Sequence, residues 1–346
     1  MTEPLHGSAE AYGPAAGSGP APAPVVPLLS VPPTVAELGA WTRLLGAVYA
    51  ADLPAVPAPS LVEVTGRLGV PSIRGRSVQW AIAGADGEID GAAALLLFTD
   101  EGNTHGAYLD VLAVRPSARR RGLGRALWEA VRAELLAQGR TSVSSSVEPG
   151  TPAGQFATGL GFENVLPMGW HVQRVPAGPV EEPEVPAGYR LVSWSGETPD
   201  AWAEASAVAH GAMEDAPMGD LDERAPTWTG ERVRSAQRLV VDRGGVILSV
   251  AALTDSGEMA AYTELVFADP ADTRAMQYDT VVVPAHRGRG LGRLVKRRML
   301  ADAVAAYPEL REIATTVADE NAPMIAVNEA LGYRRERDVA LFQLKL

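Results

Sequence analysis

Apolar positions in the second half of the chain follow two periods, alternating in some segments and recurring every three to four residues in others. Leu291, Val295 and Met299 recur at i+4 and predict the buried stripe of a helix that follows a glycine-rich loop. The patterns predict strands at 189–193, 246–253, 259–267, 276–283, 312–317 and 339–344, and helices at 199–213, 229–243, 291–307 and 322–331. Mixed α and β elements in this order predict an α+β domain of three layers.

The first half of the chain repeats the second at an offset of about 165 residues. Residues 109–131 align with 277–299, and residues 157–162 align with 328–333. A repeat of this length predicts two copies of one fold.

Two proline-rich segments mark the predicted domain boundaries. Residues 1–24 are rich in Pro, Ala and Gly, and this composition predicts a disordered tail. The first domain is predicted at 25–174 and begins with a proline-limited edge strand within 25–30. Residues 175–188 are proline-rich and acidic, which predicts a linker, and the second domain follows at 189–346.

Composition excludes several classes of protein. The 346 residues are 47% hydrophobic and 21% charged, enough for two globular domains. The chain has no cysteine, which rules out disulfides, thiolate zinc sites and a cysteine nucleophile. A net charge of −12 argues against nucleic acid as a partner.

No membrane-length apolar run and no signal segment are present, so we expect a cytoplasmic protein without a membrane partner. The five histidines have no metal-ligand spacing, so no metal site is predicted. The bias for Arg over Lys suggests a GC-rich bacterial source.

The strongest motif is a strand, a loop of the form Arg-x-x-Gly-x-Gly and an amphipathic helix. It occurs as RRRGLG at 119–124 and as RGRGLG at 287–292, each surrounded by basic residues. Glycines allow the backbone to turn tightly, and the exposed amides at the start of the helix favour an anion. Neither the P-loop nor the Rossmann spacing is present. The two loops therefore predict binding of a phosphorylated ligand.

These motifs resemble those of the GNAT superfamily of acyl-CoA-dependent N-acyltransferases. The resemblance implies two tandem GNAT domains, each a mixed, mostly antiparallel central sheet flanked by helices. It also implies acetyl-CoA or another acyl-CoA as co-substrate, with loop amides on the pyrophosphate and the preceding strand paired with pantetheine. The implied cofactor-binding residues of the second half are Val282, Val283, Arg287, Gly288, Arg289, Gly290, Leu291, Gly292, Arg293 and Asn321, and those of the first half are Val114, Arg119, Gly122, Gly124 and Arg125. Asn321 precedes Ala-Pro and equally fits a helix N-cap.

The attacking ammonium must lose a proton, and Glu264, on an otherwise apolar strand, is the first candidate base. Asp279 ranks second. The aligned position in the first half is Ala94, so the second half is predicted to be catalytic and the first structural or regulatory. Where the resemblance implies a tyrosine as general acid, the chain has Asn328, which donates a hydrogen bond but not a proton. Tyr262 is a substitute acid.

The loop 210–223 is rich in carboxylates, which favours a cationic acceptor. The leading hypothesis is transfer of an acyl group, most simply acetyl, from coenzyme A to a primary amine of a small molecule by direct attack in a ternary complex. One alternative is an acyltransferase of specialised metabolism that takes its acyl group from an acyl carrier protein. A second alternative is a non-catalytic acyl-CoA-binding module.

Overall fold

The computed structural model describes residues 26–27, 33–176, 178, 180 and 183–346. Its strands are β1 (Val26–Pro27), β2 (Gly75–Ala83), β3 (Ile89–Phe98), β4 (Gly106–Val114), β5 (Ser142–Val147), β6 (Glu163–Arg174), β7 (Tyr189–Ser195), β8 (Val246–Thr254), β9 (Met259–Phe267), β10 (Arg274–Val282), β11 (Glu312–Ala318) and β12 (Arg334–Lys345). Its helices are α1 (Val35–Asp52), α2 (Leu61–Gly69), α3 (Leu123–Ala137), α4 (Pro152–Gly159), α5 (Ala203–Gly211), α6 (Gly230–Asp242), α7 (Leu291–Ala306) and α8 (Ala322–Ala330). In the described part of the chain no helix is both long and apolar enough to cross a membrane.

The predicted α+β class with a mostly antiparallel sheet is confirmed. The strands form one sheet in the order β1-β2-β3-β4-β5-β12-β6-β11-β10-β9-β8-β7. Only β4 with β5 and β10 with β11 pair in parallel. Helices α3 and α7 pack on one face, and α1, α2, α5 and α6 lie on the other.

One predicted segment differs from the structure, and two lie partly or wholly outside the described residues. The helix predicted at 199–213 is α-helical only at 203–211 and has short 3-10 turns at 200–202 and 212–215. Of the predicted edge strand, Val26–Pro27 pairs with β2, and the rest of it lies outside the described residues, as does the predicted tail 1–24.

The last strand of each half pairs with the other half. Strand β6 lies between β11 and β12, and β12 lies between β5 and β6. Ala340 and Phe342 of β12 are therefore part of the core under α3. The boundaries predicted at 25–174 and 189–346 follow the repeat, but neither range contains the whole of its own sheet.

Side-chain chemistry explains why the strands exchange. By register, the positions of Ala340 and Phe342 in β12 correspond to Gly169 and His171 in β6. If β6 folded back beside β5, the His171 imidazole would take the place of Phe342 in the apolar core under α3, whereas beside β11 it lies next to the polar Thr315. The exchange keeps the polar side chains of β6 with the second half.

We expect fragments 33–174 and 183–346 to be unstable when produced separately and to form a one-to-one complex when co-expressed. Each fragment alone would leave a long strand edge, β5 or β11, without its partner. Size-exclusion chromatography with light scattering measures this. A monomeric 33–174 fragment that unfolds cooperatively would show that β6 does fold back.

Candidate active site

The parallel strands β10 and β11 separate soon after they meet, and the gap between them is called the fork below. Their pairing covers only 274–276 with 312–314. The pairing of β10 with β9 is irregular between Gln277 and Thr280, where a bulge bends the strand. Beyond the fork, one edge of β10 has no strand partner in the described part of the chain. Such an edge can pair with an extended ligand.

Two valines at the end of β10 were predicted to pair with pantetheine. The amide of Val283 donates to Ala260 O at 3.0 Å and is therefore engaged with β9. Because neighbouring residues of a strand point their polar groups to opposite edges, Val282 faces the fork. Val282 O there accepts a hydrogen bond from Arg287 Nε at 3.1 Å.

The loop after β10 has the geometry of an anion site. Gly288 and Gly290 have φ values of 76° and 77°, which glycine adopts without strain. Five of the eight described helices have a side-chain N-cap, but α7, which starts at Leu291, has none. Its first amides therefore remain available to a ligand. Gly292 lies beside Val282, where an added Cβ would be 3.4 Å from the Val282 side chain.

The first arginine of each motif has a structural role. The Arg287 guanidinium bonds back to Val282 and pairs with Asp215 at 2.6 Å. Arg119 repeats both contacts in the first half, with Val114 O at 3.1 Å and Asp52 at 2.6 Å. Arg119 thus holds its loop against Asp52 at the end of α1. Arg287 holds its loop against Asp215 in the 3-10 turn at 212–215. Because both guanidinium groups are engaged within the chain, the loop amides are the groups left for an anion.

Other arginines near the loop differ in their freedom. Arg293 and Arg297, one turn apart on α7, are exposed and have no ion pair within the described chain. They line a cavity of about 420 Å³ together with Gln173, Val180, Leu300, Ala330 and Leu331. Arg289 instead donates to the Tyr189 hydroxyl at 2.6 Å. Arg293 lies in the first turn of α7, next to the exposed amides, and Arg297 lies one turn further along the helix.

A buried polar cluster lies beside the bulge, on the face that α5 and α6 cover. Glu264 is 6% exposed, and its Oε1 accepts a hydrogen bond from Gln237 Nε2 at 2.8 Å. His210 Nε2 is 4.0 Å from the same oxygen. Ligand atoms of His210, Glu264 and Asp279 all lie within 4.8 Å of one another. The first two candidate bases, Glu264 and Asp279, are thus neighbours.

Burial dominates the acid–base properties of this cluster. It raises the pKa of Glu264 to about 7, and the hydrogen bond from Gln237 lowers it only in part. Burial, followed by repulsion from Glu264, raises the pKa of Asp279 to about 6. Burial lowers the pKa of His210, so the imidazole is neutral at neutral pH. A carboxylate that titrates near pH 7 is suited to general base catalysis.

Hydrogen bonds set the orientation of His210. Its Nδ1 donates to Ser206 O at 2.8 Å, which leaves Nε2 as an acceptor facing Glu264. The ring stacks on Tyr262 with a centroid distance of 4.2 Å. The Tyr262 hydroxyl is buried without a hydrogen-bond partner of regular geometry, and burial raises its pKa well above the usual value. Tyr262 therefore keeps its proton and lies on the same face as the candidate bases.

The same three groups, His210, Glu264 and Asp279, are close enough to be considered as metal ligands. The sequence predicted no metal site, because spacing along the chain does not bring these residues together. Glu264 Oε1 is already hydrogen-bonded to an amide, and the 4.0 Å to His210 exceeds the separation of ligands on one small ion. The geometry fits a network of proton acceptors better than a metal site.

Two asparagines of α8 were named from the sequence. Asn321 is the N-cap, and its side chain accepts from Met324 N at 3.2 Å. Its side-chain oxygen is thus used by the helix. Asn328 is fully buried, and its Oδ1 accepts from Lys296 Nζ at 2.6 Å.

The first half repeats the fork without the polar cluster. Strands β4 and β5 pair only at 106–108 with 142–144, and Ala94 and Val111 occupy the positions of Glu264 and Asp279. The loop has Gly122 with φ 82°. Arg120, at the position of Gly288, has φ 64°, so the loop keeps the same bend without a glycine there. Gly124 packs beside Val114, and Arg125 pairs loosely with Glu129 at 3.9 Å.

A sequence profile of the Acetyltransferase (GNAT) family matches residues 60–162 and 207–333, most of both halves. The chain belongs to the GNAT acetyltransferase family. The GNAT resemblance of the sequence is confirmed, and the chain is an N-acetyltransferase of tandem GNAT architecture. Enzymes of this fold use acetyl-CoA or another acyl-CoA.

Relatives and solved structures agree with this assignment. Mycothiol acetyltransferase from Salinispora tropica is 27% identical over 312 residues, which cover 81% of this chain and 95% of that protein. Mycothiol acetyltransferase from Clavibacter michiganensis subsp. michiganensis is 29% identical over 262 residues, 72% and 79% of the two chains. A tandem GNAT protein from the clavulanic acid biosynthesis pathway superimposes with a TM-score of 0.78 at 26% identity, covering 93% of this chain and 98% of its own.

Three carboxylates of the acidic loop of the second GNAT half contact basic side chains. Asp215 pairs with Arg287, Asp222 with His105 at 3.3 Å, and Glu223 with Arg74 at 2.5 Å. His105 and Arg74 belong to the first half. The other two carboxylates of the loop, Glu214 and Asp220, have no ion pair within the described residues, so the loop, Glu264 and Asp279 can all favour a cationic acceptor.

Sequence reasoning missed three residues of the cluster. Gln237 orients Glu264, and its own Oε1 accepts from Thr198 N at 2.6 Å. Gln277 Nε2 donates to Glu264 O at 2.6 Å. His210 was noted only as the start of the acidic loop. The sequence signal available for Gln237 was a glutamine among the apolar positions of α6. That signal does not identify Glu264 as its partner.

Proposed function

We propose that the chain transfers an acetyl group from acetyl-CoA to a primary amine of a small molecule, by direct attack at the second fork. The observation that carries this proposal is Glu264, a buried carboxylate beside the fork with a pKa raised to about 7. The first fork has Ala94 at this place. The second half is accordingly the catalytic one.

The donor fits the second loop in three ways. The uncapped start of α7 offers amides to a pyrophosphate, Arg293 and Arg297 offer free cations beside it, and the open edge of β10 offers pairing to pantetheine. Acetyl-CoA supplies a thioester carbonyl for the amine to attack. The chain's own residues hold that carbonyl at the bulge and remove the proton.

The acceptor belongs on the face of α5 and α6. Tyr278 of β10 is 51% exposed on this face, next to the half-buried Asp279. The two carboxylates, Glu264 and Asp279, favour an ammonium group as it arrives; Glu264 takes one proton to give the neutral amine that attacks, and the second proton of the nitrogen leaves to water. His210 Nε2 provides the next acceptor for that proton. Relatives named for mycothiol support a small-molecule acceptor.

Incubation with acetyl-CoA and a panel of small primary amines tests the proposal. Mass spectrometry should find an N-acetylated product that depends on enzyme. A parallel reaction with acetyl-phosphopantetheine on a carrier protein tests the alternative donor. Transfer from the carrier with none from acetyl-CoA would overturn the choice of donor, and consumption of neither thioester would overturn the proposal.

We expect Gly122→Val in the first loop to leave turnover within about threefold of wild type, because the first fork has Ala94 and Val111 in place of Glu264 and Asp279. Steady-state kinetics with saturating acetyl-CoA measures this, and circular dichroism checks folding. If the folded variant lost turnover as completely as a Gly290 variant, the proposed division of labour between the halves would be wrong.

A further inference from the structure

A second buried polar cluster lies under α8, on the opposite face of the sheet from Glu264. Its members are Lys296, Asn328, Tyr333, Gln277, Thr315 and His171, all of them buried. The corresponding positions in the first half, given by strand register and the repeat, are Trp128, Ala157, Phe162, Leu109, Ser145 and Phe342. Five of these six belong to the apolar core under α3, and Ser145 is the exception. Among the described residues, the second half has a polar group at all six positions, whereas the first half has one only at Ser145.

Lys296 is the member of this cluster whose burial is energetically most unfavourable. Its ammonium is 2.6 Å from Asn328 Oδ1 and 4.3 Å from the centre of the Tyr333 ring, and no carboxylate within the described chain pairs with it. Trp128 fills the same volume in the first half and packs edge-on against Phe162 at 5.2 Å. An apolar side chain is thus compatible with this fold, so packing alone does not explain a buried cation.

Asn328 has an unused donor. Its Nδ2 is buried and has no hydrogen-bond partner among the residues that the structure describes, although about nine in ten buried polar groups have one. Since Oδ1 is held by Lys296, the amide is oriented with its N–H groups away from the cation. An unpartnered buried donor of this kind indicates a ligand atom that accepts a hydrogen bond.

The cluster lies at the point where β10 and β11 separate. Thr315 Oγ1 donates to Gln277 O at 3.1 Å across the start of the fork, and the Tyr333 hydroxyl is 3.5 Å from Gln277 Oε1. Gln277 also bonds the backbone of Glu264, whose carboxylate lies on the other face. A thioester that crosses the fork would therefore have the base on one side and the Lys296–Asn328 pair on the other.

We propose that Lys296, acting through Asn328, stabilises the sulfur leaving group of the acyl donor. This inference rests on the proposed function, since it assumes a thioester in the second fork. Glu264 takes one proton from the ammonium, the freed amine nitrogen bonds to the carbonyl carbon, the carbon–sulfur bond breaks with the electron pair on sulfur, and the second proton of the nitrogen leaves to water. The thiolate accepts a hydrogen bond from Asn328 Nδ2, and the Lys296 ammonium balances its charge. Lys296 is a positioning residue and transfers no proton itself.

The charged and titratable groups around Lys296 agree with this role. His171 of β6 is buried with both ring nitrogens unpartnered, and burial lowers its pKa, so it is neutral. Burial raises the pKa of Tyr333, so that hydroxyl is neutral as well. Arg293 and Arg297 of α7 and Glu329 of α8 are exposed. Burial lowers the pKa of Lys296 to about 7, and a neighbouring thiolate would restore its proton.

The ionisation of bound coenzyme A tests the proposal without an acceptor. The thiolate absorption band is titrated between pH 6 and 9 for the complex with coenzyme A, with the complex of desulfo-coenzyme A as the blank. In wild type the midpoint should fall at least one pH unit below that of free coenzyme A. Lys296→Met should raise the midpoint by about one unit, a tenfold change in ionisation, while desulfo-coenzyme A binds equally well. Lys345→Met, at the only other lysine, should change nothing.

The outcomes separate the two proposals. If wild type binds neither coenzyme A nor desulfo-coenzyme A, the proposed function fails. If both bind and the wild-type midpoint equals that of free coenzyme A, the role of Lys296 is refuted without any variant. If Lys296→Met binds coenzyme A with an unchanged midpoint, the role is likewise refuted.

Discussion

Glu264→Gln should lower kcat by about 100-fold to 10,000-fold, the usual contribution of a positioned general base. The amide has nearly the shape of the carboxyl group and can still contact Gln237, so the fold and the binding of acetyl-CoA should be retained. The pH dependence gives a second result. Since burial raises the pKa of Glu264 to about 7, the basic form is lost below neutrality, and wild-type kcat/KM should fall as the pH drops through this value. The variant should lack that acidic limb.

The matched control is Glu309→Gln, which makes the same chemical change at an exposed ion pair with Arg311. It should behave as wild type in turnover, in pH dependence and in acetyl-CoA binding. If Glu264→Gln kept near wild-type turnover from pH 6 to 9, the role of base would pass to Asp279, whose pKa is also raised.

Gly290→Val should weaken acetyl-CoA binding at the second loop by at least 100-fold. Gly290 has φ 77°, a conformation that a β-branched residue adopts only with strain. The added side chain would also project at the start of α7, over the amides that we assign to the pyrophosphate. Isothermal titration calorimetry measures affinity and stoichiometry. If the first loop also binds, one of two sites should disappear.

Gly196→Val separates loss of the site from general strain. Gly196 has φ 76° and open space around it, as Gly290 has, but it lies in the turn after β7. Both variants should lose similar thermal stability, and only Gly290→Val should lose binding. Unchanged affinity and stoichiometry in a folded Gly290→Val protein would refute the assignment of the loop.

Local patterns in the sequence predicted much of the fold and part of the site. The repeated Arg-x-x-Gly-x-Gly motif predicts two strand, loop and helix units, because the bend and the exposed amides depend on residues next to one another. Glu264 stands out for the same reason, as a charge in an apolar strand. Asp279 could be predicted once the strand before the second loop was aligned with the corresponding strand of the first half.

The remaining features depend on contacts between distant segments. His210 and Gln237 are on helices α5 and α6 and meet Glu264 only when these pack on β9. The exchange of β6 and β12 cannot be recognised from the alternation of apolar and polar residues. Both strands would show that alternation whether they paired within their own half or with the other half. It becomes understandable once His171 and Phe342 are assigned to a polar and an apolar environment. Pairing of Lys296 with Asn328 likewise depends on the contact between α7 and α8.

Direct transfer at the second fork is the central claim, and a single-turnover experiment with isotope-labelled acetyl-CoA tests it most directly. Enzyme in excess is mixed with labelled acetyl-CoA and an amine acceptor, quenched over time, and the protein, the amine and the released thiol are followed by mass spectrometry. We predict that the label appears on the amine nitrogen at the rate of thiol release, one label for each thiol, with no labelled protein at any time. Label on the protein before the amine, or thiol release at the wild-type rate in Glu264→Gln, would contradict this account.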